Sequence, residues 1–284
     1  MENKVDYKVN TRENIYFAIK VITSIIMYYL IVIYLSQLSE SPNRLTSLVL
    51  IFYIIIFAIY FFLRYGVLMG YIKGNAVKVS PNQFPDLYKI TESQTYSLGL
   101  SIMPNVYILQ SGGVMNAFAT NFFGNDFIVL YSEIVEAAYE QDPKILEFII
   151  GHELGHIKRN HMIKRLLLWP SALIPFLNSA YSRACEYTCD SIGYTLSPGG
   201  FKNGLIILGS GRSLFKKVNV SEYISDGASN HGFWKWFAEI VSPHPNLPKR
   251  LKKYPEVTYA TIITDVKTLN PIEQQVDNSK YMPM

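Results

Sequence analysis

The chain has 284 residues, a formal net charge of +4, 49% hydrophobic residues and two cysteines. So small a charge makes no case for a nucleic-acid partner, and two cysteines cannot build a disulfide framework. There is no glycine-rich phosphate loop and no internal repeat; beyond an apolar N-terminal quarter, the remaining length suits one globular domain.

The N-terminal quarter reads as membrane-spanning. Val21 to Leu38 is an apolar run interrupted only by Thr23, Ser24, Ser36 and Gln37, and Leu45 to Leu63 is a second with only Thr46 and Ser47 polar. Each is long enough, at about 1.5 Å per residue, to cross a hydrocarbon core of roughly 30 Å. Tyr16, Tyr34 and Tyr60 are placed for interfacial anchoring, and the joining segment 39–44, with Pro42, is short enough for a helical hairpin. The segment before the first run is mixed in charge and no small-x-small site follows, which argues against a cleaved signal peptide. Lys4, Lys8, Arg12 and Lys20 flank the first span, Arg44 alone lies in the loop, and Arg64, Lys73 and Lys78 follow the second. This bias puts both ends, and the rest of the chain with them, on the cytoplasmic side of a cell membrane, where a modest basic excess suits anionic lipid.

Further on, Val114 to Thr120 reads as a strand, followed by a turn around Gly124-Asn125-Asp126 and a second strand from Phe127 to Tyr131. Asp142 is a good helix N-cap and Pro143 suits the first helical position. Ile145, Leu146, Phe148, Ile149 and Ile150 then make a helix apolar on most sides, as a core helix is. It carries His152-Glu153-Leu154-Gly155-His156. Histidines four apart lie on one helix face and can reach one zinc ion; the glutamate between them points where a zinc-bound water would sit and could take its proton. This is the H-E-x-x-H pattern of zinc metallopeptidases. In a continuing helix His161 would be rotated about 140° from His156 and face away from the metal.

Catalytic zinc takes a third protein ligand. Glu186 and Asp190 are four apart, so a helix puts both on one face, one to bind the metal and the other to hold a ligand histidine by its second ring nitrogen. Cys185 or Cys189 is the rival ligand; two histidines and a carboxylate match the hydrolytic set better, and cysteines at this spacing are poorly placed for a disulfide. Leu166 to Leu177, with Pro170 and Pro175, is too short to span and reads as a wall touching the bilayer. His231 to Val241, with Trp234, Trp236 and Phe237, reads as an amphipathic helix that packs on the core, with membrane contact as its second reading. His244, between Pro243 and Pro245, sits in a stiff loop. Beyond Thr268 the chain is a polar tail.

These motifs resemble those of the HtpX-like membrane zinc metallopeptidases, the family that also contains the type 1 CAAX prenyl proteases. The family's H-E-x-x-H and later E-x-x-x-D match His152, Glu153, His156, Glu186 and Asp190; its N-A-x-A matches Asn116-Ala117-Phe118-Ala119; its late His-Pro and Arg match His244-Pro245 and Arg250. The order is the family's across residues 116–250, and Cys189 stands where relatives carry alanine. The resemblance implies one Zn2+ held by His152, His156 and Glu186, with Glu153 as the acid–base catalyst. It implies that His244 stabilises the oxyanion, Asp190 orients a ligand, residues 116–119 bind a peptide substrate, and Arg250 is structural. The expected architecture is α+β: an N-terminal segment and two transmembrane helices (1–72), a mainly helical zincin-type metallopeptidase domain with a small β-sheet (73–268), and the tail (269–284). The expected function is endopeptidase action on polypeptides, membrane proteins among them, in quality control at the lipid bilayer, with no nucleic acid involved. Other readings are CAAX-type processing, or a silent or latent metal-stabilised adaptor.

Overall fold

The computed structural model describes residues 5–40, 44–110 and 112–254. The tail, residues 255–268 and Pro42 in the hairpin loop lie outside the described residues.

The first two helices are α1 (Thr11–Glu40) and α2 (Arg44–Asn75), longer than the apolar runs that predict them. The lengthening has a physical cause: both ends that leave the apolar runs gain protein contacts. The first turns of α1 are not free. Glu13, Lys20 and Ser24 are buried, the Lys20 amine donates to Asn178 Oδ1 at 3.2 Å, and the Tyr28 hydroxyl donates to the Leu167 carbonyl at 2.8 Å. Lys20 is therefore engaged with protein rather than with lipid headgroups. Between Ile22 and Leu35 α1 exposes isoleucine, leucine and tyrosine in succession, and α2 does so from Leu45 to Leu68. Both helices are long and apolar enough to cross a membrane.

A four-stranded sheet has the order β1-β2-β4-β3. Its members are β1 (Val77–Lys78), β2 (Asn105–Leu109), β3 (Ala117–Phe122) and β4 (Asn125–Tyr131). β2 and β4 are parallel; β3 is antiparallel to β4 and lies at the edge. Alternation along the strands divides the core in two. Tyr107, Leu109, Phe127 and Val129 face one way, onto Met69 and Ile72 at the end of α2. Val106, Ile108, Ile128 and Leu130 face the other way, into the main helical core. The β3–β4 turn is tighter than the sequence predicts. Phe123 (φ 48°) and Gly124 (φ 80°) both take the left-handed conformation that two-residue hairpins need, so Asn125 and Asp126 are strand, and β3 starts only at Ala117.

The helical layer contains α3 (Pro85–Ser97), α4 (Ser132–Gln141), α5 (Lys144–Lys158), α6 (His161–Leu167), α7 (Leu177–Leu196) and α8 (Pro198–Ser210). The smaller α9 (Val220–Ser229), α10 (Phe233–Val241) and α11 (Leu247–Lys252) follow. Asp142 caps α5 as expected, its Oδ1 accepting from Lys144 N at 3.1 Å, although the regular helix starts just after Pro143. α5 is the central element, buried along most of its length against the sheet, α7 and α8. Its approach to α7 depends on glycines. A Cβ on Gly155 would stand 3.2 Å from the Cα and Sγ of Cys189, and one on Gly193 would stand 2.9 Å from the Phe148 carbonyl oxygen. The predicted core packing of α10 does not occur. None of its residues is buried; Phe233, Trp234 and Trp236 are exposed, and it is held by Phe237 against Phe176 and by three carbonyls that accept from Arg183. Phe233, Trp234, Trp236, Phe237, Ile240 and Val241 fall on one face of this helix, and that face is left largely uncovered.

Candidate active site and metal centre

Because α5 and α7 touch through small residues, their functional side chains meet. The two oxygens of Glu186 lie 3.5 Å from His152 Nε2 and 3.4 Å from His156 Nε2. Glu153, one residue along from His152, is 6% exposed and faces the same cleft. That cleft has a volume of about 550 Å³. It is lined by Asn116 to Ala119, by His152, Glu153, His156 and Glu186, and by His244 and Arg250. Met115, Phe148, Leu205 and Leu208 supply apolar walls that sequence reading missed; only their place at apolar positions beside the motifs signals them.

Behind the cleft, His152 Nδ1 lies 3.1 Å from Asp190 Oδ1. Asp190 is fully buried and accepts two bonds from Arg250, at 2.8 and 2.5 Å. Burial alone would raise the Asp190 carboxyl, but the Arg250 guanidinium outweighs it and holds the group below its ordinary value. Burial likewise opposes ionisation of Glu186, yet bonds from His152, His156 and His244 keep it well below the carboxylate range. His244 reaches Glu186 Oε2 with its Nδ1 at 3.0 Å while its side chain stays 64% exposed. Asn116 accepts a bond at its own Oδ1 from Ala117 N.

One expectation fails. His161 does not face away from the site: α5 ends at Lys158, the φ of 53° and ψ of 38° at Asn160 turn the chain, and His161 begins a new helix. Asparagine tolerates this left-handed conformation better than most residues. His161 Nδ1 lies 3.1 Å from His156 Nδ1, and burial pushes this imidazole down to about 4.

The donor set suits a divalent metal such as zinc. Each motif histidine has its Nδ1 engaged by a protein partner, which leaves the Nε2 atoms, beside an ionised carboxylate, to bind it. Cys189 also has its sulfur within 4.8 Å of a nitrogen of each histidine. Its Sγ contacts His161 Nδ1 at 3.8 Å, however, on the Nδ1 side of His156, and burial drives the thiol well above its ordinary value. Glu186 is the better third donor. Both cysteines are free.

The helix bearing H-E-x-x-H is thus packed against the helix bearing E-x-x-x-D, in a chain with two helices long and apolar enough to cross a membrane. Residues 81–174 match the model of Peptidase family M48. A Protease HtpX homolog from Tropheryma whipplei is 27% identical, with 70% of this chain and 80% of that protein covered. A CAAX prenyl protease 1 homolog from Dictyostelium discoideum is 40% identical over 65 residues, 23% of this chain and 15% of that protein. The plastoglobule-localized metallopeptidase 48 of Arabidopsis thaliana is 33% identical over 89 residues, 31% of this chain and 24% of that protein. The chain thus matches less than a quarter of the length of these last two relatives. The crystal structure of S. mikatae Ste24p aligns with a TM-score of 0.46 and 17% identity, covering 87% of this chain and 67% of that one.

Proposed function

We propose that this chain is a membrane-anchored zinc endopeptidase that cleaves polypeptides, membrane proteins among them, in quality control. The observation that carries the reading is the convergence of the His152 and His156 Nε2 atoms and the Glu186 carboxylate on a cleft that also holds Glu153. His152, His156 and Glu186 would hold the zinc. When bound, the metal supplies a Lewis acid and makes water a usable nucleophile near neutral pH. Glu153 takes the proton of the attacking water and delivers it to the leaving amine. His244 donates to the developing oxyanion from its stiff loop. Arg250 keeps Asp190 ionised, and Asp190 keeps His152 turned.

Substrate is bound as an added strand. Among the described residues β3 pairs only with β4, so its outer edge can take an extended peptide beside Asn116 to Ala119. The two long helices anchor the chain, and the residues after them form the peptidase, on the cytoplasmic side. Leu166, Leu167, Trp169 and Leu173 are exposed next to the Tyr28 contact on α1, which favours a rim resting on lipid.

The test is cleavage of casein or a membrane protein by the detergent-purified chain, beside Glu153→Gln, with bound zinc measured in both. The wild type should cleave and bind one zinc; the variant should bind zinc and lose at least about 100-fold in rate. Cleavage by the variant at the wild-type rate would refute the assignment.

A further inference from the structure

Each motif histidine is backed by a carboxylate and an arginine. For His152 these are Asp190 and Arg250. For His156 the chain is longer and reaches the first membrane helix. His156 Nδ1 meets His161 Nδ1 at 3.1 Å, and His161 Nε2 meets Glu13 Oε1 at 3.2 Å. Glu13 also accepts from Arg159, at 3.0 Å from Nε and 2.9 Å from Nη2. Glu13 and His161 are 0% and 1% exposed, so water does not compete for these bonds.

The directions of the bonds follow from what each group can do. An ionised carboxylate only accepts, so His161 Nε2 must donate to Glu13. In a neutral imidazole the other nitrogen is then bare, so His161 Nδ1 must accept from His156 Nδ1–H. His156 is left with a bare Nε2, the atom that faces Glu186. We propose that Glu13 and His161 are positioning residues for the metal site, fixing His156 in the tautomer and orientation that a metal ligand needs. The inference rests on reading His156 as a ligand.

Glu13, His161 and Cys185 also lie within 4.8 Å of one another and could themselves hold an ion. One fact favours the relay: both His161 nitrogens are already engaged, at 3.1 Å by His156 and at 3.2 Å by Glu13.

The test measures zinc affinity of the full chain in detergent, by competition with a chromophoric chelator. His161→Leu should weaken binding by about 10- to 100-fold, the usual effect of losing a ligand's outer partner. His161→Gln, whose amide offers one acceptor and one donor, should stay within about threefold of wild type. Glu13→Leu should weaken binding in the wild type and add nothing on top of His161→Leu. Should Glu13→Leu not fold, Glu13→Gln should bind within about threefold of wild type, and the His161 pair decides. The proposal is overturned by wild-type affinity in His161→Leu, by equal loss in the Leu and Gln variants, or by a second zinc per chain that His161→Leu and Cys185→Ser both remove. His156→Ala separates the two levels of argument. If it keeps the zinc, the metal-site reading falls and the relay with it; if it loses the zinc while His161→Leu does not, only the relay falls.

Discussion

Replacing Arg250 tests the electrostatics behind the site. Arg250 is 5% exposed and Asp190 is 0% exposed, and two bonds of 2.8 and 2.5 Å join them. Arg250→Met fills most of the volume but leaves Asp190 with His152 as its remaining partner. Removing one member of a buried ion pair costs about 3–5 kcal/mol, because the other charge stays desolvated. Against a typical stability of about 5–15 kcal/mol this is a large fraction. Arg250→Lys should recover part of it, since one ammonium cannot span both carboxylate oxygens as a guanidinium does. Adding Asp190→Asn to Arg250→Met removes the stranded charge, so the double variant should be more stable than the sum of the singles by about 1–3 kcal/mol. The assay is urea unfolding followed by circular dichroism in mild detergent, on all four variants beside wild type. A loss below about 1 kcal/mol in Arg250→Met, or strict additivity in the double, would refute the reasoning.

Other outcomes follow from packing. In Gly193→Ala, a helix-propensity gain of about 1 kcal/mol opposes an overpacking cost of about 1–3 kcal/mol against the Phe148 backbone, so a lower melting temperature is expected. A higher one would mean that the seam between α5 and α7 has slack. Burial pushes Cys185 from its ordinary 9.0 up to about 12. Its folded value lies above its unfolded one, so the neutral thiol contributes stability that is complete below about pH 9 and is lost as the pH rises towards 12. Melting temperatures should fall across that window. At pH 8 iodoacetamide should label neither cysteine until the chain is unfolded; labelling of the folded protein at a free-thiol rate would contradict their burial.

Much of the site was legible because its chemistry is local. His152, Glu153 and His156 share one helix face at fixed spacing, as do Glu186 and Asp190, and 3.6 residues per turn does the rest. The unbroken apolar run from Phe127 to Tyr131 read as a strand, and the structure covers both its faces. What was hidden depended on single backbone conformations and on distant partners. The left-handed Asn160 reversed the direction of His161, and nothing in the spacing of histidines signals such a break. Gly155 and Gly193 read as ordinary glycines until the opposing helix is seen. Nothing in the sequence singles out Glu13, because its partners lie about 150 residues further along the chain.

The docking of α1 has a practical consequence. Its outer turns are dissolved in lipid while its inner turns are part of the protein's interior, so the boundary between membrane and enzyme does not fall between residues of the sequence. A fragment cut free of both apolar helices, beginning after Asn75, would lose more than an anchor. It would uncover Asn178, Thr188 and the Leu168 carbonyl, which now bond to Lys20, Asn10 and Ser24, and would leave Arg159 without its carboxylate. Studies of this chain in solution therefore need the first helix kept, and a detergent or nanodisc to hold it.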